Sequence, residues 1–212
     1  MAGDVFVSRG GLKLRHALDA FGLPPIGLGV RGWTCADFGC STGGFTDCLL
    51  HAGASRVYAI DTAYGELAWK LRNDPRVVVM ERTNCLHAPV PEGVAQAGGV
   101  DLVTIDASWT PQRLAIPAAL RWARAEGRII TLIKPHYEVK GFGAALGIAL
   151  TRGGVLAEEQ AEAIRDAALA RMESLGARVL GLVKSPVLGG AAGAGKAGTG
   201  NVEYAALLER IT

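Results

Sequence analysis

The chain has 212 residues and a mass of 22.1 kDa, room for one domain at roughly 100 to 200 residues each. Half of its residues are hydrophobic and 20% are charged, which excludes a disordered chain, and a net charge of +2 leaves any basic surface local. Glycine, at 29 residues, is about twice as frequent as usual, so the chain holds either a low-complexity segment or many tight turns.

The start, MAGDVFVSRGG, carries an acid and no sustained apolar run, so it does not read as a signal peptide. No stretch reaches the roughly 18 apolar residues of a spanning helix, and the run near Phe142 to Leu150 is broken by glycines, so no membrane association is expected. Cys35, Cys40, Cys48 and Cys85 lack CxxC spacing and read as core thiols in a reducing cytoplasm, in preference to a disulfide or a zinc site.

The first predicted element is a helix that Ser8 caps. Leu14, Ala17, Leu18 and Phe21 form its apolar stripe, and Gly22 with Pro24-Pro25 ends it. Short apolar runs follow at Trp33 to Phe38, Arg56 to Ile60, Arg76 to Met80, Asp101 to Ile105 and Arg128 to Ile133, with helical or turn segments between most of them. That alternation predicts an α/β fold with a mostly parallel sheet covered on both faces. A helix from about Leu156 to Leu175, a strand at Arg178 to Val183 and a strand from about Val202 to Leu208 come last, the two strands pairing as an antiparallel hairpin. The stretch Gly189 to Gly200 has one Lys and no large side chain, and it is expected to be a mobile loop. The chain reads as one domain over 1–212, with the first helix in 1–25, a binding core in 33–184 and the glycine loop in 189–200.

Ligands of open parallel sheets bind beyond the carboxyl ends of the strands, so the residues ending each strand carry the chemistry. The first strand runs through Asp37 into Gly39-Cys40-Ser41-Thr42-Gly43-Gly44-Phe45, a glycine turn that lets a ligand approach the backbone. Asp61 ends the second strand, close to the spacing of about 20 residues at which an acid binds a nucleotide's ribose. The turn lacks the GxGxxG spacing of NAD sites, and the carboxylate beside it suits a ligand with an amino group and no phosphate: S-adenosylmethionine. Gly39-Cys40-Ser41-Thr42-Gly43 also matches the GxSxG nucleophile elbow, with Asp106 and His136 following in hydrolase order, but the elbow stands after the first strand and leaves Asp61 without a role.

Asp106 ends the fourth strand and Lys134 the fifth. A Lys that ends an apolar strand is partly desolvated, so its pKa is expected to fall and let it act as a base or polarise a hydroxyl. No NPPY-type motif of amino-methylating enzymes follows the fourth strand, and an Asp with a Lys suits a hydroxyl acceptor. Arg113, Arg121, Arg124, Arg128, Lys134 and Lys140 face only Glu126 and Glu138 between Pro111 and Lys140, and Arg9, Lys13 and Arg15 lie near the site. Such groups fit phosphate contacts, although Arg121 and Arg124 read more readily as a solvated helix face.

Long strings resemble one family: Val7-Ser8-Arg9-Gly10-Gly11-Leu12-Lys13-Leu14, Ser41-Thr42-Gly43-Gly44-Phe45-Thr46-Asp47, Trp69 through Arg76, Glu81-Arg82-Thr83-Asn84, Ile133-Lys134-Pro135 and Asn201-Val202-Glu203-Tyr204. The chain resembles the FtsJ-like ribose methyltransferases, in their haemolysin-A-like (TlyA) branch. The resemblance implies a Rossmann-like S-adenosylmethionine-dependent methyltransferase fold of seven strands and a Lys-Asp-Lys-Glu catalytic set at Lys13, Asp106, Lys134 and Glu203. By pattern alone, Lys13 and Glu203 would be solvated surface charges. The implied cofactor site runs across Asp37, Gly39, Ser41, Thr42, Gly43, Gly44 and Phe45, with Asp61 at the cofactor's ribose, Thr83 and Asn84 near the adenine, and Asp106 at the reacting end.

The implied reaction moves a methyl group to a ribose 2'-hydroxyl of RNA, with ribosomal RNA or a ribosomal subunit as the expected partner. Members of this branch usually carry a small RNA-binding module before the Ser-Arg-Gly-Gly segment, which here begins at residue 8, so either a recruiting partner or a different target RNA is expected. A pore-forming protein finds no amphipathic strand pairs in its favour, and an inactive RNA-binding protein is opposed by the intact set of four. The glycine loop before Glu203 is expected to be disordered without RNA and to order with it.

Overall fold

A computed structural model of the chain describes residues 6–22, 27, 29–150, 154–189 and 200–211. Helix α1 (Gly10–Gly22) turns Leu14, Ala17, Leu18 and Phe21 inward, as their spacing predicts. It starts through backbone bonds from Gly11 to Ser8 (3.1 Å) and from Leu12 to Arg9 (3.2 Å). The helix lies on α2 (Gly44–His51), and the crossing is close enough that a methyl group on Gly44 would stand 2.8 Å from the Gly11 nitrogen.

The strands are β1 (Thr34–Phe38), β2 (Arg56–Ile60), β3 (Val77–Met80), β4 (Val100–Ile105), β5 (Ala123–Ile133), β6 (Ala177–Lys184) and β7 (Tyr204–Arg210). They form one seven-stranded sheet in the order β3-β2-β1-β4-β5-β7-β6, in which only the β5–β7 and β6–β7 pairs are antiparallel. The chain builds outward from β1 through β2 to β3, then returns to β4 on the other side of β1. That reversal opens a crevice beyond the ends of β1 and β4. β6 and β7 pair as expected, but β7 is the strand that joins the parallel part. Its register sets Tyr204 opposite Ile133, so Glu203 arrives beside Lys134.

Helices α3 (Trp69–Arg72), α4 (Glu92–Gln96), α5 (Gln112–Trp122), α6 (Pro135–Leu146) and α7 (Glu158–Ala170) complete the fold. Successive side chains of β5 serve opposite faces: Ile129 and Ile133 join a core with Phe38, Ile105 and Trp122, while Ile130 and Leu132 join one with Leu14, Phe45 and Leu49. The last helix is shorter than its apolar pattern suggests, since α7 gives way to a 3-10 turn at Glu173–Leu175 that Gly176 ends with φ +85°.

β5 starts earlier than its apolar run indicates, directly after α5, and this corrects the reading of its cations. Arg124 is a strand residue paired with Asp101 at 2.6 Å, Arg128 is paired with Glu209 at 3.4 Å, and Arg121 donates to the Leu86 carbonyl at 2.7 Å. All three are thereby tied to the fold, and Arg121 stands exposed on α5 as a solvated helix residue. Of the glycine loop, residues 190–199 lie outside the described residues, as do Pro24 and Pro25.

Trp122 anchors one core. It is fully buried, with its ring edge-on to Phe38 at 5.9 Å and to Tyr58 at 5.8 Å. Trp122→Ala is expected to destabilise the protein by about 3–5 kcal/mol through lost burial and a residual cavity. Urea unfolding checks this as a lower midpoint at unchanged slope.

Candidate active site

The crevice is a cavity of about 890 Å³ lined by loops from the ends of β1, β2, β3, β4 and β5 together with α1 and the segment before β7. Its floor is the turn after β1. Gly39 has φ +82°, and a methyl group there would stand 2.9 Å from Ala107 Cα and 3.0 Å from the Asp106 carbonyl oxygen, so only glycine lets the β1 and β4 loops touch. Ser41 also takes a left-handed conformation, φ +47°. Its backbone N–H donates to Asp61 Oδ2 at 2.7 Å while that of Ala63 donates to Oδ1 at 2.9 Å, so one carboxylate ties the first loop to the second. Thr42, Gly44, Phe45, Thr83 and Asn84 complete this half of the wall.

Two predicted residues do not reach the cavity. Asp37 is fully buried behind it, accepting from Thr46 Oγ1 at 2.7 Å and Thr104 Oγ1 at 3.0 Å, so it pins β1 to α2 and β4. Burial pushes its pKa up to about 7, against the hydrogen bonds of the two hydroxyls, which pull it down. An acid that ends a strand reads alike in sequence whether its oxygens meet a ligand or a neighbour's hydroxyl. Gly43 precedes α2 at φ +99° and backs onto Leu67 and Leu71.

The other half of the cavity holds two ion pairs. Lys134 Nζ lies 2.6 Å from Asp106 Oδ1, and Lys13 Nζ lies 2.5 Å from Glu203 Oε2. Lys134 and Glu203 are buried, so each charge depends on its partners. Burial alone would push the Lys134 ammonium down, but the carboxylates of Asp106 and Glu203 outweigh it and hold the pKa above the ordinary lysine value. The expectation that desolvation would free a basic amine is therefore corrected: Lys134 stands as a charged donor.

Glu203 is held from several sides. Its carbonyl accepts from the Ser185 N–H at 2.8 Å, and its carboxylate packs where a side chain on Gly189 would otherwise stand. Two residues earlier, Asn201 forms an antiparallel bridge with Gly189, accepts from the Leu156 N–H at 3.0 Å and donates to the Gly154 carbonyl at 2.8 Å. Only the adjacency of Asn201 to Glu203 in the quoted string marked it beforehand.

The pattern did not single out the aromatic rim. Trp109, 82% exposed and at φ +59°, lies on the cavity mouth with its ring 4.9 Å from that of Tyr137, and Lys134 Nζ is 5.6 Å from the Tyr137 centroid. The available signal was position: each aromatic stands three residues after a strand-terminal charge, Asp106 or Lys134. Arg9, exposed, shares the lining. The hydrolase arrangement is not assembled, because Ser41 Oγ donates to Glu66 at 3.3 Å, Asp106 pairs with Lys134, and the buried Nδ1 of His136 has no partner. Among the described residues no cluster fit for a metal occurs, no helix is long and apolar enough to cross a membrane, and all four cysteines are buried and unlinked.

Chemically, the arrangement offers a hydroxyl a charged donor and a carboxylate acceptor at one end of a glycine-floored cleft. This site, with the strand order and the antiparallel seventh strand, defines a Rossmann-like fold of the S-adenosylmethionine-dependent methyltransferase class. The N-methyltransferase NodS from Bradyrhizobium japonicum shares that fold, with a TM-score of 0.55 over 96% of this chain and 95% of its own at 15% identity. A family model described as FtsJ-like methyltransferase matches residues 6–192, and the chain belongs to that family. The 16S/23S rRNA (cytidine-2'-O)-methyltransferase TlyA of Mycobacterium tuberculosis is 42% identical over 200 residues, 94% of this chain, which spans 66% of that relative's length. A solved structure carrying a hemolysin name, from Streptococcus thermophilus, matches 99% of this chain and 69% of its own with a TM-score of 0.80 at 34% identity.

Asp37 generates a pH test of the fold behind the site. Because its folded pKa of about 7 lies above the ordinary 3.8, the folded state keeps a proton that the unfolded state releases between those values. The stability Asp37 contributes is present in full below about pH 4 and is lost as pH rises to about 7. Asp37→Asn does not titrate, so its stability relative to the parent should climb across that interval and level off above it, measured by urea unfolding at successive pH values.

Proposed function

We propose that the protein transfers the methyl group of S-adenosylmethionine to a ribose 2'-hydroxyl of RNA, with ribosomal RNA as its substrate. The observation that carries this reading is the meeting of Lys13, Asp106, Lys134 and Glu203 in one cavity with the glycine turn and Asp61. The ribose methylation named for the tuberculosis relative supports the choice of acceptor.

The cavity fits the cofactor. Gly39, Ser41, Thr42 and Gly44 present backbone to a ligand at the floor, where Gly39 and Gly44 have no space for a side chain. Asp61, already oriented by two backbone N–H groups, would hold the ribose hydroxyls, with Thr83 and Asn84 beside the adenine. When bound, S-adenosylmethionine supplies a methyl carbon on a sulfonium, and the C–S bond that breaks as the O–C bond forms leaves its electron pair on a neutral thioether.

The residues of this chain supply alignment and a path for one proton. A ribose hydroxyl is a weak nucleophile, so most of the gain comes from holding its oxygen in line. Lys134, kept charged by Asp106 and Glu203, donates a hydrogen bond to that oxygen and raises its acidity. As bonding to carbon makes the oxygen positive, the hydroxyl proton leaves to the Asp106 carboxylate and from there to solvent. Lys13, paired with Glu203, positions the acceptor ribose or its phosphate. Trp109 and Tyr137 offer the acceptor's base a stacking surface, the mode by which proteins hold unpaired RNA bases. Phosphates at the mouth meet Arg9. Such chemistry belongs in the cytoplasm beside the ribosome.

The test is methyl transfer from tritiated S-adenosylmethionine to transcribed 16S and 23S rRNA and to isolated ribosomal subunits. Lys134→Ala should lower kcat by roughly 10²- to 10⁴-fold, while calorimetry finds cofactor affinity within a few fold of the parent. Transfer at the parental rate in that variant would sink the mechanism.

A further inference from the structure

One polar ring of the cavity has no part in the scheme above. His136, the second residue of α6, lines the same cavity two residues after Lys134, and its ring lies 4.1 Å from that of Tyr137, which in turn meets Trp109 at 4.9 Å. The three rings form a continuous wall next to the Lys134 ammonium. With an acceptor ribose at Lys134, the base one glycosidic bond away falls against this wall. Trp109 and Tyr137 supply faces for stacking. His136 adds to that wall an imidazole whose buried Nδ1 has no hydrogen-bond partner.

We infer that His136 reads the base of the acceptor nucleotide, its imidazole hydrogen-bonding an acceptor atom on the base edge while Trp109 and Tyr137 hold the plane. This rests on the RNA ribose methylation proposed above. The protonation state favours a base over a phosphate: burial, then the ammonium groups of Lys134 and Lys13, push the His136 pKa down to about 4, so the ring is neutral at neutral pH. A neutral imidazole has one donor and one acceptor and no charge to set against a phosphate. Because Nδ1 is the buried ring nitrogen, Nε2 is the one left for a ligand, and we assign it the proton. A site built to hydrogen-bond a polar edge rejects analogues that leave the group unpaired, which is how this residue would discriminate between bases.

The experiment compares the parent with His136→Phe, which keeps the ring, His136→Ala, in case the phenyl ring does not fit, and His136→Gln, which keeps a donor. Each is assayed with S-adenosylmethionine on transcribed 16S and 23S rRNA, followed by nuclease digestion and mass spectrometry of the 2'-O-methylated nucleosides. The expected result is a fall of about tenfold in kcat/KM on the parent's nucleoside for the Phe and Ala variants. Methyl should appear on other nucleosides in those two, the Gln variant should keep the parental pattern, and cofactor affinity by calorimetry should be unchanged in all. A Phe or Ala variant that folds, binds cofactor and keeps the parental nucleoside distribution overturns the inference, whatever its rate. Parent protein that binds S-adenosylmethionine but methylates no RNA overturns the underlying reading, and this inference with it.

Discussion

The antiparallel pairing of β5 with β7 is the constraint on which the proposed reaction centre depends. Because Ile133 pairs with Tyr204, the residue before β7 and the residue after β5 must be neighbours, and they are Glu203 and Lys134. Backbone hydrogen bonds across a buried ladder set that proximity, and a slip of one residue would turn every β7 side chain to the other face of the sheet. The Asn201 and Gly189 bridge extends the constraint past the end of the strand. The approach to Glu203 is thereby tied to the segment between α6 and α7 as well as to β6. Lys13 then completes the group from α1, whose position follows from the close crossing with α2 at Gly44.

Electrostatics explains why the two halves of the site differ. Each lysine in the reacting half has a carboxylate within 2.6 Å, and at Lys134 the carboxylates of Asp106 and Glu203 keep the charge that burial would neutralise. The same burial acts on Asp37 with hydrogen bonds from Thr46 and Thr104 and, among the described residues, no cation to oppose it, and there the neutral form gains. His136 follows the first half's logic with the sign reversed, since ammonium neighbours and desolvation both disfavour its protonated form. One cavity therefore holds a charged Lys134 and a neutral imidazole two residues apart. That combination suits a nucleotide, whose hydroxyl, phosphate and base edge make different demands.

The glycine excess separates by physical cause. Gly39 is required by a positive φ together with the backbone of the β4 loop, and Gly44 by the α1–α2 crossing. Gly189 leaves space for the Glu203 carboxylate. None of these three roles is chemical. Each brings a backbone or a carboxylate to a position that a methyl group would forbid, and the cavity floor exists because those approaches are allowed.

Local pattern carried the parts of this protein that depend on neighbours in sequence. Apolar runs bounded by charges located β1, β2 and β4 to within a residue or so, since a doubly covered strand needs apolar side chains on both faces. The acid and the lysine that end β4 and β5 marked one side of the site for the same reason. Lys13 and Glu203 were legible only through the family's strings, because a charge on a helix or before a strand looks solvated until a partner is known. The burial of Asp37, the pairing of Arg124 and the raised pKa of Lys134 were not legible in sequence because tertiary neighbours decide them. Each depends on groups brought close by other strands: Thr104 for Asp37, Asp101 for Arg124, Asp106 and Glu203 for Lys134. The sequence by itself determined the α/β alternation, the strand ends and the glycine turn, all of which follow from local periodicity and backbone sterics. Tertiary structure alone decided which charges meet and which stay buried and neutral, because pairing and desolvation are set by residues far apart in the chain that only the sheet order brings together.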